Sequence, residues 1–349
     1  MYELTEKLIK LMPYDPIQGD YKIRLDANES FVNTSAEDLK KAVAGTNVNR
    51  YPDPYAKKLI GAYSDFYGIN PDLVTAGNGS DEIISIITAC FLKKGEKVLT
   101  LAPDFSMYSF YSSLYELDVR VMKKQSDLSI DVDKVIETVN KEGIRAVLFS
   151  NPCNPTSLGM EKTDVIKLIN SVKALVILDE AYMDFWKGLE DQSLIKDTAG
   201  YDNLIVLRTC SKALGMAGLR LGFAVSNVTI TEKLRAAKSP YNVNALTQQA
   251  AEYFLSDKKE MERRIKACID ALNELDNGLC EMNLPFFERI YPSVTNFLFI
   301  KTSKAREIFE YLLSQSIAVR YMGDYLRITA GSTEENKAVI TALLKFPNQ

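Results

Sequence analysis

Short apolar runs rich in β-branched residues recur between residues 72 and 226, and stretches whose apolar positions follow a helical spacing separate them. A continuous apolar run of this length is typical of a strand buried on both faces, and the stretches between predict covering helices. The alternation therefore predicts a mostly parallel sheet sandwiched by helices, the α/β class. The predicted strands lie in DLVTAG (72–77), KVLTLAP (97–103), RAVLFSN (145–151), ALVILDE (174–180), NLIVLRT (203–209) and LRLGFAV (219–225).

The last connection of this series, between residues 209 and 219, is much shorter than the others. Parallel neighbours need a crossover of about a dozen or more residues, usually with a helix. We therefore expect the strand over residues 219–225 to run antiparallel to its neighbours.

The pattern changes near Pro240. Long, charged amphipathic helices follow, and the chain then reads as strand, helix, strand, strand and helix. We predict a large domain over residues 28–240 and a smaller α+β domain over residues 241–349. Residues 1–27 are predicted to form an N-terminal arm, because a short helical pattern there ends at a proline and a polar stretch follows.

Composition narrows the classes of function. The 349 residues carry a formal net charge of −4 without a basic cluster, so we expect no nucleic-acid partner. The longest apolar stretch, residues 83–92, is about half as long as a membrane span, and charges interrupt the apolar positions of the N-terminus. We therefore expect neither membrane insertion nor export. Five cysteines without a CxxC pair indicate reduced thiols and a cytoplasmic protein.

The chain contains no histidine. A Ser-His or Cys-His nucleophile and a Cys/His zinc site are therefore excluded, and no metal is expected. Proton transfer in this protein has to use Lys, Tyr, Asp, Glu or Cys side chains.

Candidate chemistry lies at the ends of the predicted strands, because ligands of open α/β sheets bind beyond the carboxyl ends of the strands. The turn GNGSDE (77–82) leads into a helix, so the backbone at Ser80 and Asp81 offers unpaired N–H groups to an anion such as phosphate. Taken alone, a plain helix cap explains this turn better, since the glycine spacing matches no nucleotide-binding motif. Phe105 follows the next strand and either stacks on a planar ligand or fills the core.

Three further strand ends carry polar groups. Asn154 lies in the rigid turn NPCNPT, and Asp179 ends an all-apolar run, where a carboxylate is costly unless it meets a cation or a donor. A buried structural ion pair is an equal alternative for Asp179, and Tyr182 can reach the same side. The last strand end offers hydroxyls, an amine and a guanidinium suited to phosphate: Thr209, Ser211, Lys212 and Arg220.

The convergence of these groups is more informative than any one of them. Five consecutive strand ends deliver phosphate donors, an aromatic ring, an amide, a carboxylate with a tyrosine, and a lysine. Pyridoxal phosphate uses all of them, because it has an aldehyde for an amine, a ring nitrogen that requires an acidic partner, a phenolic oxygen and a phosphate. We therefore predict a pyridoxal phosphate site with Lys212 at its centre.

At these residues the chain resembles the fold-type I pyridoxal-phosphate-dependent aminotransferases. The resemblance implies a mostly parallel seven-stranded sheet sandwiched by helices, with a smaller α+β C-terminal domain. The motifs that carry it run nearly from end to end: PY (13–14), LDANES (25–30), RYPDPY (50–55), GNGSDE, NPCNPT, DEAYMDF (179–185), RTCSKALGMAGLRLGF (208–223), PYNVN (240–244), PSVTNF (292–297) and YLRITAGS (325–332).

The resemblance implies a role for each candidate residue. Lys212, Asp179 and Tyr182 are the catalytic set: Lys212 binds the cofactor aldehyde, and Asp179 pairs with the ring nitrogen. Phe105 stacks on the ring, and Asn154 contacts the ring oxygen together with Tyr182. The phosphate is bound at Ser80, Asp81, Thr209, Ser211 and Arg220.

The same resemblance implies the substrate site and the assembly. Tyr51 reaches the cofactor phosphate of the neighbouring subunit, which implies a homodimer with shared active sites. The implied substrate-binding residues are Tyr14, Asn28, Arg320 and Arg327. Three positions depart from the family pattern and bear on substrate preference, namely Phe105 in place of a tyrosine, Ser157 in place of a glycine and Cys210 in place of a large apolar residue.

The implied reaction is transamination of L-histidinol phosphate with 2-oxoglutarate to imidazole acetol phosphate and glutamate, a step of histidine biosynthesis. An aromatic amino-acid aminotransferase and a threonine-phosphate decarboxylase on the same fold are the alternatives. A nicotinamide-dependent dehydrogenase is disfavoured, because GNGSDE lacks the dinucleotide-binding glycine spacing. A pyridoxal-sensing regulator would carry a DNA-binding segment, for which we expect no room in the arm over residues 1–27.

Overall fold

The computed structural model describes residues 2–11, 13, 16–186, 188 and 191–347. Its strands are β1 (Ile23–Arg24), β2 (Val74–Gly77), β3 (Lys97–Ala102), β4 (Asp118–Lys123), β5 (Ala146–Ser150), β6 (Leu175–Asp179), β7 (Leu204–Thr209), β8 (Gly222–Ser226), β9 (Arg289–Ile290), β10 (Phe297–Lys301), β11 (Ile317–Ala318), β12 (Arg320–Tyr321) and β13 (Tyr325–Thr329). Its helices are α1 (Glu6–Lys10), α2 (Ala36–Ala42), α3 (Lys57–Tyr67), α4 (Ser80–Cys90), α5 (Met107–Leu114), α6 (Val132–Glu142), α7 (Lys162–Ser171), α8 (Val228–Ala237), α9 (Ala245–Ser256), α10 (Lys258–Met282), α11 (Ala305–Ser314) and α12 (Thr333–Leu344).

The large sheet has seven strands in the order β2-β8-β7-β6-β5-β3-β4. Its neighbouring strands are parallel except that β8 runs antiparallel to both β2 and β7. The connection from β7 to β8 contains only a 3₁₀ helix, Ala217–Leu219, so no covering helix carries the chain back for a parallel return. The predicted fold class and the predicted antiparallel strand are therefore confirmed.

The edge strand β4 completes the seven strands, although the apolar pattern did not indicate it. Asp118, Arg120 and Lys123 interrupt its apolar positions, and none of its six residues is buried. An edge strand covered on one side needs no continuous apolar run. The resemblance to the family predicted seven strands, whereas the apolar pattern alone predicted six.

The central strands are buried on both faces, and their side chains alternate between two clusters. In β5, Val147 and Phe149 pack with residues of α6 and α7, whereas Ala146 and Leu148 pack with residues of α4, α5 and α8. Complete burial of such a side chain contributes roughly 1.5–3 kcal/mol relative to exposure. The sheet is thus a rigid frame for the residues at its strand ends.

The C-terminal part contains a four-stranded antiparallel sheet in the order β12-β13-β10-β9. Apolar side chains of α11, α12 and the second half of α10 cover it, whereas the first half of α10 and α9 share a cluster with α3. Strand β1 pairs in parallel with β11, so the segment before residue 28 lies beside this second unit. The domain bounds at residues 27 and 240 stay a prediction.

None of the described helices is long and apolar enough to cross a membrane.

Candidate active site

The register of the large sheet brings the predicted site residues to one edge. Gly222 of β8 pairs with Gly77 of β2 on one side and with Thr209 of β7 on the other. Farther along the same edge, Asp179 at the end of β6 pairs with Ser150 at the end of β5. The turns that follow these strands therefore enclose a common space beyond the sheet.

Two glycines shape a cradle at the start of helix α4. A Cβ atom on Gly222 would lie 2.4 Å from the backbone nitrogen of Ser80, and one on Gly79 would lie 2.9 Å from Nη2 of Arg220. Gly79 also has a φ of +83°, which a side chain disfavours. The N-cap residue of α4 is Gly79, which has no side chain to accept from the first N–H groups of the helix. Such a helix start binds anions.

Hydroxyl groups and a guanidinium border the same cradle. The Thr209 hydroxyl donates to Ser211 Oγ at 2.9 Å, which leaves the Ser211 hydrogen for another acceptor. Arg220 Nη2 lies 3.4 Å from Asp81 Oδ2 in a partly exposed pair. These donors fit the oxygens of a phosphate, and the glycines leave the room it needs.

Asp179 is a buried carboxylate at the end of β6. Its Oδ2 accepts a hydrogen bond from the Tyr108 hydroxyl at 2.8 Å, and its Oδ1 accepts one from the Ala181 N–H at 3.0 Å. Burial raises the pKa of Asp179 to about 7, although both hydrogen bonds oppose this. A cation bound against the carboxylate would favour its ionised form. The group is therefore placed to pair with a protonated ring nitrogen.

Tyr108 was missed in the sequence, although it contacts two predicted site residues. Besides Asp179, its ring meets the Phe105 ring edge to face, with the centroids 5.5 Å apart. Tyr108 is 1% exposed. The only signal in the sequence is a second aromatic residue one helical turn after Phe105.

The Tyr182 hydroxyl is held by Asn28. Asn28 Nδ2 donates to it at 2.8 Å, and Asn28 Oδ1 accepts a hydrogen bond from the Thr329 hydroxyl at 3.0 Å. Burial raises the pKa of Tyr182 to about 12, while the charge of Arg327 and the Asn28 bond lower it. Both ends of the Asn28 amide are thus engaged within the chain, and its predicted substrate contact stays a prediction.

Arg327 connects the small sheet to the predicted cofactor residues. Its Nη1 donates to Asn154 Oδ1 at 2.6 Å, and the side chain is 8% exposed. Arg320 pairs with Arg327 across β12 and β13, so both side chains leave the same face of the sheet. The two arginines predicted for the substrate are therefore neighbours.

Lys212 lies at the centre of this arrangement. Its Nζ donates to the Ala27 carbonyl at 2.7 Å and lies 6.0 Å from the centroid of the Tyr182 ring. Burial, with the charges of Arg327 and Arg220, lowers the pKa of Lys212 to about 8. A fraction of the amine is thus neutral, and nucleophilic, near neutral pH.

A buried ion network anchors the segment that carries Asp179 and Tyr182. Arg208 of β7 donates to Asp184 Oδ1 at 2.8 Å, and its Nη1 lies 3.4 Å from Glu180 Oε2. This network is a second feature that the sequence did not indicate, since its residues lie within otherwise ordinary strand and turn patterns. It fastens the turn after β6 to β7, next to the strand end that leads to the lysine.

A family model that matches most of the chain establishes the family of this protein. The family model for aminotransferase class I and II matches residues 20–343. The chain belongs to the aminotransferase class I and II family. A histidinol-phosphate aminotransferase of Clostridium novyi (strain NT) is 41% identical over 350 residues, which cover 98% of this chain and 96% of the relative. A protein of the same name from Clostridium kluyveri (strain NBRC 12016) is 38% identical over 98% of this chain and 97% of the relative.

A solved structure shares the fold of this aminotransferase. It is the histidinol-phosphate aminotransferase of Sinorhizobium meliloti in complex with pyridoxal 5′-phosphate, with a TM-score of 0.88. It is 22% identical in sequence, and the superposition covers 98% of this chain and 97% of that chain. At this identity the likeness concerns the fold.

The residues of this aminotransferase fit pyridoxal phosphate, the cofactor of the family. The cradle at Gly79 and Gly222 has the donors for the phosphate, Asp179 meets the requirement of the ring nitrogen, and Lys212 offers an amine. Phe105 lies at the end of β3 beside the same space, partly buried. The role of each residue stays a prediction.

One predicted residue, Tyr51, lies apart from this arrangement. Tyr51 is 81% exposed and stacks on Tyr241 with the ring centroids 4.5 Å apart. A contact of Tyr51 with a neighbouring subunit stays a prediction. Tyr14 lies outside the described residues.

Ser157 and Cys210 are two of the three positions that depart from the family pattern. Ser157 has a φ of +62°, the conformation that favours the glycine usual in the family, and its hydroxyl donates to the Pro292 carbonyl at 3.0 Å. Cys210 is fully buried in the apolar cluster under β8. Neither side chain removes a charged group from the site.

Proposed function

We propose that this aminotransferase uses pyridoxal phosphate to transfer the amino group of L-histidinol phosphate to 2-oxoglutarate, giving imidazole acetol phosphate and glutamate in histidine biosynthesis. The two clostridial relatives carry the name of this enzyme and align over nearly the whole chain. One observation of the structure carries the proposal. Arg327 donates to Asn154 and is close enough to Lys212 to lower the pKa of its amine. A substrate anion bound by Arg327 therefore lies beside the reactive amine.

Pyridoxal phosphate, when bound, supplies the electron sink for the negative charge left when the substrate carbon loses its proton. Residues of the chain bind the cofactor and move the proton. Asp179 keeps the ring nitrogen charged, and the cradle at the start of α4 holds the phosphate. Lys212 takes the proton from the substrate carbon and returns it, because its lowered pKa makes the neutral amine available.

Two substrates of different shape have to use one pocket. Histidinol phosphate has a phosphate, whereas glutamate and 2-oxoglutarate have carboxylates. A guanidinium pairs with either group through two parallel hydrogen bonds. Arg320 and Arg327, on one face of the small sheet, can serve both substrates in turn.

Half-reactions of the cofactor-loaded enzyme test this proposal. L-histidinol phosphate and glutamate are each expected to abolish the absorbance of the bound aldehyde, and borohydride is expected to fix the cofactor onto Lys212. Phenylalanine and threonine phosphate, the substrates of the two alternatives, are expected to react far more slowly. Faster conversion by phenylalanine would favour the aromatic aminotransferase. Release of carbon dioxide from threonine phosphate without amine formation would favour the decarboxylase.

We also propose a cytoplasmic homodimer in which Tyr51 completes the neighbouring site. Tyr51, Tyr55 and Tyr241 are exposed by 81%, 58% and 44%, an aromatic group of the kind that interfaces cover. All five cysteines are free, which fits a reducing compartment.

Mixed subunits test the shared site. Lys212→Ala and Tyr51→Ala variants are each expected to be impaired, and mixing them after dissociation is expected to restore turnover, because one of the two sites then receives both native residues. If each subunit uses its own Tyr51, no site in the mixture has both residues and mixing restores nothing.

A further inference from the structure

A lysine, a cysteine and an aspartate form a buried cluster beside the proposed cofactor site. Lys124 Nζ lies 2.8 Å from Cys153 Sγ and 3.9 Å from Asp104 Oδ2. The side chains of Lys124 and Asp104 are 1% and 2% exposed, and Cys153 is 2% exposed. Transamination as described above assigns no role to these three groups.

The contact between the amine and the thiol is close. Other sulfur atoms in the described part of the chain lie farther from their polar partners: Cys268 Sγ is 3.3 Å from Ser30 Oγ, and Cys280 Sγ is 3.6 Å from Asp276 Oδ1. The Lys124 amine is thus within reach of the Cys153 sulfur. What sets Cys153 apart is the lysine amine in contact with its sulfur at 2.8 Å.

Asp104 is the third member of this cluster, and its charge acts on Lys124. Although burial lowers the pKa of Lys124, the neighbouring Cys153 and Asp104 raise it above its ordinary value. Burial likewise raises the pKa of Asp104, and Lys124 and the hydrogen bonds of Ser150 oppose this. The raised pKa of Lys124 keeps it an ammonium, and Asp104, with Oδ2 3.9 Å from Nζ, is the carboxylate that has to take the proton before the amine can act as a nucleophile.

We propose that Lys124 and Cys153 form an oxidation site at which a hydroperoxide joins the two side chains through a sulfur–nitrogen bond. In the first step the Cys153 sulfur attacks a peroxide oxygen, the O–O bond breaks, and a sulfenic acid and water form with hydrogen peroxide as the oxidant. Sulfur is oxidised by two electrons, and the peroxide is reduced.

The second step closes the bridge. The Lys124 ammonium gives a proton to Asp104, and the free amine attacks the sulfenic sulfur. The S–O bond breaks, and the leaving hydroxide takes one hydrogen from the attacking amine and departs as water, while the proton that the ammonium gave up stays on Asp104. In sum, the thiol, the free amine and hydrogen peroxide give the S–NH link and two molecules of water. Compared with the thiol and the free amine, the product lacks two hydrogen atoms.

The position of the bridge connects it to activity. Cys153 directly precedes Asn154, which accepts the hydrogen bond of Arg327, and Lys124 directly follows β4. A sulfur–nitrogen bond is shorter than the 2.8 Å contact, so the bridge draws the turn after β5 towards β4. Asn154 then moves relative to Arg327, and oxidation is expected to lower turnover.

Mass spectrometry of the full chain tests the bridge without reference to any substrate. The starting protein carries Cys90→Ser and Cys280→Ser, which remove the two exposed thiols. After hydrogen peroxide and alkylation of the remaining thiols under denaturing conditions, we expect a peptide pair joined through Lys124 and Cys153, two hydrogen atoms lighter than its parts, that dithiothreitol separates. Cys268, which is buried without a lysine partner, is the internal control and is expected to be alkylated fully.

Two variants separate the bridge from other damage. With Cys153→Ser, turnover is expected to lose its peroxide sensitivity, and with Lys124→Met the sulfenic acid is expected to persist and to be trapped by dimedone. If Lys124→Met does not fold, detection of the linked peptide in the protein with native Lys124 and Cys153 decides the proposal. Full alkylation of Cys153 after peroxide, or direct formation of its sulfinic acid, would overturn the proposal. Because the linked peptide is measured directly, failure of the substrate assignment does not affect this result.

Discussion

Replacing Asp179 by asparagine is expected to stabilise the cofactor-free protein and to inactivate the enzyme. The carboxyl group is 4% exposed, and burial raises its pKa from 3.8 to about 7. That difference corresponds to about 4 kcal/mol at about 1.36 kcal/mol per pKa unit. Above pH 7 the ionised Asp179 therefore costs the empty fold about 4 kcal/mol.

The free-energy cost of the ionised Asp179 grows as the pH rises from 3.8 to about 7. Between pH 3.8 and about 7, the folded chain keeps the Asp179 proton that the unfolded chain has lost. The contribution of this group to the free energy of unfolding is thus fully present below pH 3.8 and is lost as the pH rises through 7. Asparagine does not titrate. It can still accept from the Ala181 N–H and bond to the Tyr108 hydroxyl. We expect Asp179→Asn to add up to about 4 kcal/mol at pH 8 and little near pH 4.

The effect on catalysis has the opposite sign. Breaking a buried charge pair costs about 3–5 kcal/mol, and the amide cannot keep the cofactor's ring nitrogen charged. Turnover is expected to fall by about 10²- to 10⁴-fold. Urea unfolding of the cofactor-free proteins at both pH values measures the stability difference, and single-turnover absorbance measures the loss of activity. Equal stability differences at pH 4 and pH 8, or a larger loss at pH 8, would refute the reasoning.

Three other substitutions test separate parts of the site. Tyr108→Phe removes a hydrogen bond to the charged Asp179, worth about 1.5–3 kcal/mol, and is expected to weaken cofactor binding at least about tenfold in an absorbance titration. Gly222→Ala places a Cβ 2.4 Å from the first N–H of α4 and is expected to raise the dissociation constant of the cofactor about tenfold or more, with an unchanged circular dichroism spectrum. Arg327→Gln is expected to raise KM for both substrates and to move the pKa of Lys212 back towards its ordinary value, which the pH dependence of amine modification measures.

The residues at strand ends could be predicted because two simple regularities place them. Apolar runs of strand length mark the buried strands, and parallel strands deliver their carboxyl ends to one edge. Asp179 ends one such run, and Lys212 lies in the turn that follows another. The apolar pattern could not predict the register of the strands. The position of Gly222 between Gly77 and Thr209 depends on how β8 aligns with its two neighbours.

The missed residues share a physical reason. Tyr108 reaches Asp179 because α5 packs on the sheet at a particular angle, and nothing in the sequence fixes that angle. Lys124 directly follows β4, which is an edge strand with interrupted apolar positions. Contacts of this kind depend on tertiary packing, whereas periodicity reports only which face of an element is buried.

The structure also joins two functions that the sequence presents as separate. Arg327, predicted for the substrate, donates to Asn154, predicted for the cofactor, and also to the carbonyl of Asp26. A substrate anion has to replace these two hydrogen bonds when it pairs with the guanidinium. An anion with two oxygen atoms in one plane can do so through a bidentate pair, whereas a neutral group cannot. If Arg327 binds the substrate anion, as we propose, this pairing frees the Asn154 amide oxygen and changes the contacts available to the cofactor.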